Sequence, residues 1–337
     1  NLQLFEHRHE MGHLLARSKG LMLPSLKEDA FKATVSETRG HGSTPTFKVN
    51  RGTVVAEKRP FEKTVFRQIM KQVDKSSTIT LLSVQERGEG QKQAWTMNFE
   101  GEGGADHGGL FRESMKEMCE ELQSRKGHLR LFLPCPNQRL AAGTNQDKWV
   151  PNPGCKSEKY LEMYRFVGKL MGVAIRTESA IELDLPSLVW KPMVGEVCAA
   201  ADLAAVDEMF GKELETLKAV KNKEQWDAHE KHWQVRSMSG RMINLVENGG
   251  SVPVEYAERE TYLHEALQVR LKECIPQANA ILDGLSTVVP RLVLPVMTWR
   301  ELENTICGTP VIDPEKLKKI TVYENFSGGG THPTAIM

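Results

Sequence analysis

The sequence predicts an α+β fold in which helix predominates, and three observations carry that expectation. Apolar residues recur at helical spacing in several long stretches, alternating strand-like stretches are few and short, and two strong helix-start signals stand near the carboxy-terminal end. There are no internal repeats and no low-complexity tract.

A first helix is expected over about 2–16, followed by a loop holding Gly40, Gly42 and Pro45. Pro60 suits a first helical position, and Phe61, Val65, Phe66, Ile69 and Val73 then share one helical face. ITLLSV at 79–84 reads as a strand, and AWTMNF at 94–99 as another because Trp95, Met97 and Phe99 alternate. A helix over about 110–125 carries Phe111, Met115, Met118, Cys119 and Leu122 at helical spacing, with Gly127 as its stop. Residues 156–177 are apolar nearly all round, with Gly168 and Gly172 one turn apart. That pattern predicts a central helix buried on every side and closely approached by its neighbours.

From about Glu196 the composition turns lysine- and glutamate-rich with isolated large apolar residues, which suits a small helical subdomain. It closes at a polar turn, ENGGSVPVEY, and a long amphipathic helix runs from near Glu258 to Cys274. Thr298-Trp299-Arg300-Glu301 is a capping box opening a helix to Ile306, which Gly308 stops. Asp313-Pro314 pairs an N-cap with proline at the first position and opens a last short helix to about Ile320.

The bulk numbers exclude several function classes. The 337 residues suffice for one large or two modest cores, and 44 basic residues balance 44 acidic ones. No global field therefore draws the chain to nucleic acid or to an anionic membrane. The longest apolar run, around 166–175, is interrupted by Lys169 and too short for a bilayer, and no signal peptide is evident. The chain opens on Asn1, which suggests a piece of a longer protein. Cys119, Cys135, Cys155, Cys198, Cys274 and Cys307 stand singly, which argues against a zinc ribbon and for reduced thiols in a cytoplasmic protein.

Three local patterns invite chemistry. His9-Glu10-Met11-Gly12-His13 fits H-E-x-x-H, in which two histidines one turn apart bind zinc and the glutamate activates water. Only eight residues precede it, Gly12 sits inside the required helix, and no third histidine follows at the extended spacing, so solvated histidines are expected and no metal. GEGGADHGGLFRE at 101–113 is glycine-rich, but it lacks both G-x-x-x-x-G-K-[ST] and G-x-G-x-x-G. Glu102 and Asp106 would repel phosphate, so the glycines are expected to serve a tight turn, with no nucleotide or other cofactor. A cysteine nucleophile needs an exposed thiolate of lowered pKa. Cys119 and Cys274 fall on apolar faces and Cys307 at a helix end, so no catalytic residue is expected in this chain.

Longer motifs carry a resemblance. TVFRQIMKQV, NFEGEGGADHGGLFRESMKEMCEEL and YRFVGKLMGVAIRTESAIELDLPSLVWKPMVGE resemble HECT-type ubiquitin ligases. ERETYLHEALQVRL, LDGLSTVVP and WRELENTICGTPVIDPEKLKKITVY extend the match in the same order, over about 47–323. MGVAIRT and LVWK are most similar to the HERC-like subgroup. The resemblance implies a HECT amino-terminal lobe: a large helical subdomain with short strands, and a small subdomain that receives a ubiquitin-charged conjugating enzyme. The implied boundaries are a charged extension over 1–46, the large subdomain over 47–195 and 258–323, the small one over 196–257, and a hinge over 324–337.

The acceptor cysteine of the family lies in a T-C-F-like motif on a second lobe, and no such motif occurs here. The resemblance thus implies that the full protein transfers ubiquitin to substrate lysines through a thioester, while this chain alone does not. By motif, the conjugating-enzyme groove falls on Leu214, Leu217, Trp233 and Tyr262, with Tyr262 facing the groove and Ala266 where some members carry a second aromatic ring. The alternatives are a non-catalytic partner-binding lobe and, less favoured by its context, a zinc protease through His9, Glu10 and His13.

Overall fold

The computed structural model describes residues 18–52, 58–75, 81–87, 91–102, 108–309 and 314–320. The chain first lays down α1 (Pro24–Glu37), β1 (Thr46–Val49), α2 (Val65–Lys75), β2 (Gln85–Arg87), β3 (Gln91–Gln93), β4 (Thr96–Phe99) and α3 (Gly109–Leu122). Then come β5 (Phe132–Pro134), α4 (Pro136–Leu140), β6 (Trp149–Pro151), the long α5 (Glu158–Thr177) and α6 (Ser187–Met193). A cluster of short elements follows: α7 (Ala200–Ala204), α8 (Glu208–Lys218), α9 (Lys223–Asp227), β7 (Gln234–Arg236) and β8 (Met242–Asn244). The chain continues through α10 (Arg259–Lys272), α11 (Ile275–Ser286) and α12 (Trp299–Cys307). A separate unit over 308–337 holds α13 (Pro314–Ile320), with exposed Leu317. The result is the predominantly helical α+β fold expected, and each described sheet is a pair of strands.

Two glycines explain how α5 and α11 meet. A Cβ at Gly168 would lie 1.9 Å from the carbonyl oxygen of Ile281, and one at Gly284 would lie 1.8 Å from that of Arg165. The two backbones therefore touch, and only glycine permits it at either position. Around this crossing, Phe66, Phe166, Met171, Trp190, Leu285 and Leu302 build the larger core. Trp95 joins it from beside β4, its ring 4.8 Å from Phe111 and 5.6 Å from Phe47 in edge-on or tilted contacts. β1 pairs with β4 in parallel, Phe47 opposite Met97, and every second side chain of β4 points inward as alternation predicts.

Part of the 1–46 segment packs into that core. Phe31 and Val35 of α1 are buried in it, and the buried Arg176 guanidinium on α5 donates to the Val35 carbonyl at 2.9 Å and to Thr38 Oγ1 at 2.7 Å. The helix over 2–16 and the HEMGH motif lie outside the described residues.

A smaller core gathers Leu203, Val206, Phe210, Leu214, Leu217, Trp226, Trp233, Val235 and Val254. It also takes in Tyr262, Leu263 and Ala266, so α10 packs with the short elements, whereas a boundary at 257/258 had assigned it to the large subdomain. The physical reason is that Tyr262, Leu263 and Ala266 fall on one side of α10 and are buried against the short elements.

The expected strand at 79–84 is replaced among its described residues by a tight turn at Leu81–Leu82 and one bridge from Ser83 to Gly40. A Cβ at Gly40 would lie 2.7 Å from Ser83 Oγ, so this is a point contact of two backbones and no ladder extends from it. The capping box at Thr298 forms as expected: the Thr298 amide donates to Glu301 Oε2 at 2.8 Å and the Glu301 amide to Thr298 Oγ1 at 3.3 Å. Gly308, with φ +81°, ends α12. Asp313 lies outside the described residues.

Candidate docking cleft

The smaller core opens on one side into a cleft of about 300 Å³, and local sequence explains each wall. Asp207 N-caps α8 by accepting the Phe210 amide at 3.1 Å. The i, i+4, i+7 spacing of Phe210, Leu214 and Leu217 then turns one apolar stripe of α8 inward. The facing wall is the β7–β8 hairpin, which pairs Val235 with Ile243 and contributes Val235 and Met242 to the cleft. The first turn of α10 supplies Tyr262.

An aromatic cluster fixes that tyrosine. Its ring stands edge-on to Trp226 and Trp233, at centroid distances of 6.3 and 6.0 Å. Its hydroxyl donates to the Gln234 carbonyl at 3.3 Å, and burial pushes its pKa up to about 12. Trp226 is itself pinned, its indole N–H donating to the Val254 carbonyl at 2.7 Å.

The rim is polar. Glu213 on α8 and Lys231 ahead of β7 form an ion pair at the edge of the cleft, beside Glu230, His232 and Arg236. Glu230 adopts a left-handed conformation with φ +47°, which a non-glycine residue adopts at a cost of about 1–2 kcal/mol. Buried apolar side chains thus form the floor, while most of the surface the cleft exposes is polar.

The structure brings together three of the four residues that motif matching selected. Leu214, Leu217 and Tyr262 line the cleft, at 5%, 1% and 5% exposure, while Trp233 at 7% backs Tyr262 from behind. Tyr262 is thus a floor residue held in the core, with Leu263 beside it, and it does not project freely as its helix position had suggested. Ala266 is fully covered in the same core, so the place expected for a second aromatic ring is filled by packing. Sequence reading missed Met242, which lines the cleft and is 49% exposed. MIN at 242–244 lacks the run and alternation that mark a strand, so the hairpin that carries it gave no signal.

Geometry bears on the thiols and on the ends of the glycine-rich turn, whereas HEMGH lies outside the described residues. Burial raises the pKa of all six thiols, to about 11 at Cys198, about 12 at Cys307, and higher still at the enclosed Cys119 and Cys274. Cys135 and Cys155 are pushed up by the same cause. At each site burial favours the neutral thiol over the thiolate. In the glycine-rich turn, Gly101 and Gly108 take left-handed φ values of +84° and +101°, while residues 103–107 lie outside the described set. Glu102 and Glu113 in that stretch both pair with Arg51, so their charge is committed to the scaffold. Among the described residues no group of His, Cys, Asp and Glu could hold a metal ion, and no helix is long and apolar enough to cross a membrane.

Comparison with known proteins adds a family. The profile of the HECT-domain (ubiquitin-transferase) family matches residues 116–335, which include the whole cleft. The chain is 32% identical to the E3 ubiquitin-protein ligase HERC2 of Mus musculus over 91% of its own length and 6% of that protein. It is 26% identical to the probable E3 ubiquitin-protein ligase HECTD4 of Homo sapiens over 94% of its length and 8% of that protein. A third relative, the E3 ubiquitin-protein ligase TOM1 of Saccharomyces cerevisiae, is 25% identical over 68% of the chain and 7% of that protein. The chain therefore spans less than a tenth of the length of these relatives.

Proposed function

Because the chain belongs to the HECT-domain family of ubiquitin transferases, we propose that its cleft docks a ubiquitin-charged conjugating enzyme and presents the thioester to an acceptor cysteine. The single observation that carries the reading is the cleft between α8 and the β7–β8 hairpin, with its apolar floor and polar rim inside the family-matched region.

In the chemistry this implies, an acceptor thiolate attacks the thioester carbonyl that joins ubiquitin to the conjugating enzyme. The new carbon–sulfur bond forms as the old one breaks, and the conjugating enzyme's cysteine leaves as thiolate. The amine of a substrate lysine then attacks the second thioester, forming the isopeptide bond and releasing the acceptor thiol. The six thiols here, all with raised pKa, are unsuited to that role, so the reading assigns the acceptor to another segment of the full protein. This chain supplies proximity, which in well-oriented reactions amounts to about 7–11 kcal/mol of barrier lowering. The free thiols suit a reducing, cytoplasmic setting.

Mixing the chain with activating enzyme, ubiquitin and a panel of conjugating enzymes tests both halves. The expected result is saturable binding of at least one charged conjugating enzyme and no reducible ubiquitin adduct on the chain in a non-reducing gel. An adduct abolished by changing one of the six cysteines would overturn the assignment of the acceptor, and no binding across the panel would overturn the docking role.

A further inference from the structure

Arg270 lies beneath the cleft, at the far end of α10 from Tyr262, with only 2% of its surface exposed. Its guanidinium spends all three nitrogens on three different elements. Nη2 donates to Asp207 Oδ2 at 2.8 Å, Nη1 to the Arg236 carbonyl at 2.8 Å, and Nε to Glu273 Oε2 at 3.2 Å. Its flat face lies 4.6 Å from the ring centre of Phe210.

Each partner reaches a wall of the cleft. Asp207 uses its other oxygen to cap α8 at Phe210, the first residue of the apolar stripe. Glu273 accepts the Met238 amide at 3.2 and 3.1 Å and the Ser237 hydroxyl, both in the turn that joins β7 to β8. Arg236 is the last residue of β7 and lines the cleft itself.

We infer that Arg270 is a positioning residue that sets the separation of the two cleft walls, α8 on one side and the β7–β8 hairpin on the other. The inference rests on the docking role proposed above, for which it names a determinant that the docked partner never touches. Physical reasoning favours Arg over any other side chain here. A guanidinium offers donors in a rigid plane and can hold three acceptors at fixed angles, whereas an ammonium is a point charge without that geometry. A buried ionic cluster is also weak evidence for stability, because well-packed apolar residues often do as well. Three buried charged side chains converging behind one cleft therefore point to geometry as their purpose.

Hydrogen exchange on the intact 337-residue chain tests this, because two amides report the clamp directly. Phe210, in the first turn of α8, donates only to Asp207, and Met238 donates only to Glu273. In Arg270→Lys these two amides should exchange at least tenfold faster, while amides of 167–175 in the larger core keep their protection. Binding of the conjugating enzyme that the unaltered chain captures should weaken by about tenfold, the lower end of what a lost charged hydrogen bond costs. Should Arg270→Lys fail to fold, Glu273→Gln keeps the shape, removes one charge, and should shift the same two amides in the same direction.

The inference is overturned if Phe210 and Met238 keep their protection in the variants, or if exchange quickens equally in both cores. It is also overturned if the two amides open while binding is unchanged. If the unaltered chain binds no conjugating enzyme, the docking role fails, and the exchange pattern alone still decides whether Arg270 holds the walls.

Discussion

The two cores of this chain are held together in different ways. The larger core is extensive and mostly apolar, crossed by backbones that touch at Gly168 and Gly284, with edge-on or tilted aromatic contacts and a few buried charged groups such as Arg176 and Glu121. The smaller core has about a third as many residues and relies on polar devices: an N-cap at Asp207, an indole bonded to the Val254 carbonyl, a tyrosine hydroxyl, and the buried Arg270 cluster. A small core cannot reach high stability by area alone. Directional bonds in their place give fixed positions to short elements, and fixed positions are what a docking cleft needs. Extent of apolar burial dominates in the larger core, whereas directional bonds hold the short elements of the smaller one.

Substitutions can break that contrast, starting with the largest effect. Gly284→Ala drives a methyl into the Arg165 carbonyl, and neither backbone can yield without separating α5 from α11. The expected loss is about 4 kcal/mol, above the usual range for overpacking because the obstacle is main chain. It should appear as a large fall in the melting temperature of the whole chain. Trp226→Ala removes a fully buried indole and one support of Tyr262, for about 3 kcal/mol. Its effect should concentrate in the smaller core, seen as hydrogen exchange quickening over 203–266 before the larger core responds.

A pH series sharpens the comparison from the other side. Glu121 on α3 is enclosed at the start of α2, accepting the Val65 and Phe66 amides at 2.9 Å each and pairing with Arg59 at 3.0 Å. Burial nonetheless outweighs these partners and pushes its carboxyl up to about 7 from the ordinary 4.5. A raised folded-state pKa means that the folded chain holds its proton more tightly than the unfolded one. The associated stability is fully present below about 4.5 and is lost as pH rises through about 7. Urea midpoints should therefore fall by the equivalent of roughly 1–3 kcal/mol across that window, and the slope should flatten in Glu121→Gln. Thr298→Ala, which removes one half of the α12 capping box, should cost only about 1 kcal/mol.

Much of this arrangement was legible in the sequence, and the reasons differ by element. The apolar run with its paired glycines announced a closely approached helix, and burial is nearly complete over 163–177, whereas the first turns at 158–162 are exposed or half-buried and depart from the expected burial on every side. The capping box at Thr298 was legible because both of its hydrogen bonds are local. The strand expected at 79–84 failed because apolar composition alone does not provide a partner strand. The β7–β8 hairpin was invisible, since three-residue strands are too short to show periodicity. In the cleft, Leu214, Leu217 and Tyr262 were reachable by motif, whereas the contribution of Met242 depends on the hairpin that brings it opposite α8. The clamp at Arg270 was equally hidden, because its partners lie 63, 34 and 3 residues away along the chain.

Of all the cleft residues, Met242 separates docking from folding most cleanly, because it is half exposed and its loss leaves the smaller core intact. Met242→Glu should change stability by no more than about 0.5 kcal/mol, as exposed substitutions usually do. The decisive measurement is the affinity of this variant for the charged conjugating enzyme that the unaltered chain binds, taken beside its melting curve. The account predicts at least a tenfold loss, about 1.4 kcal/mol, since a carboxylate would be forced into an apolar contact. Unchanged affinity with an unchanged melting temperature would contradict it and remove the cleft as the docking site.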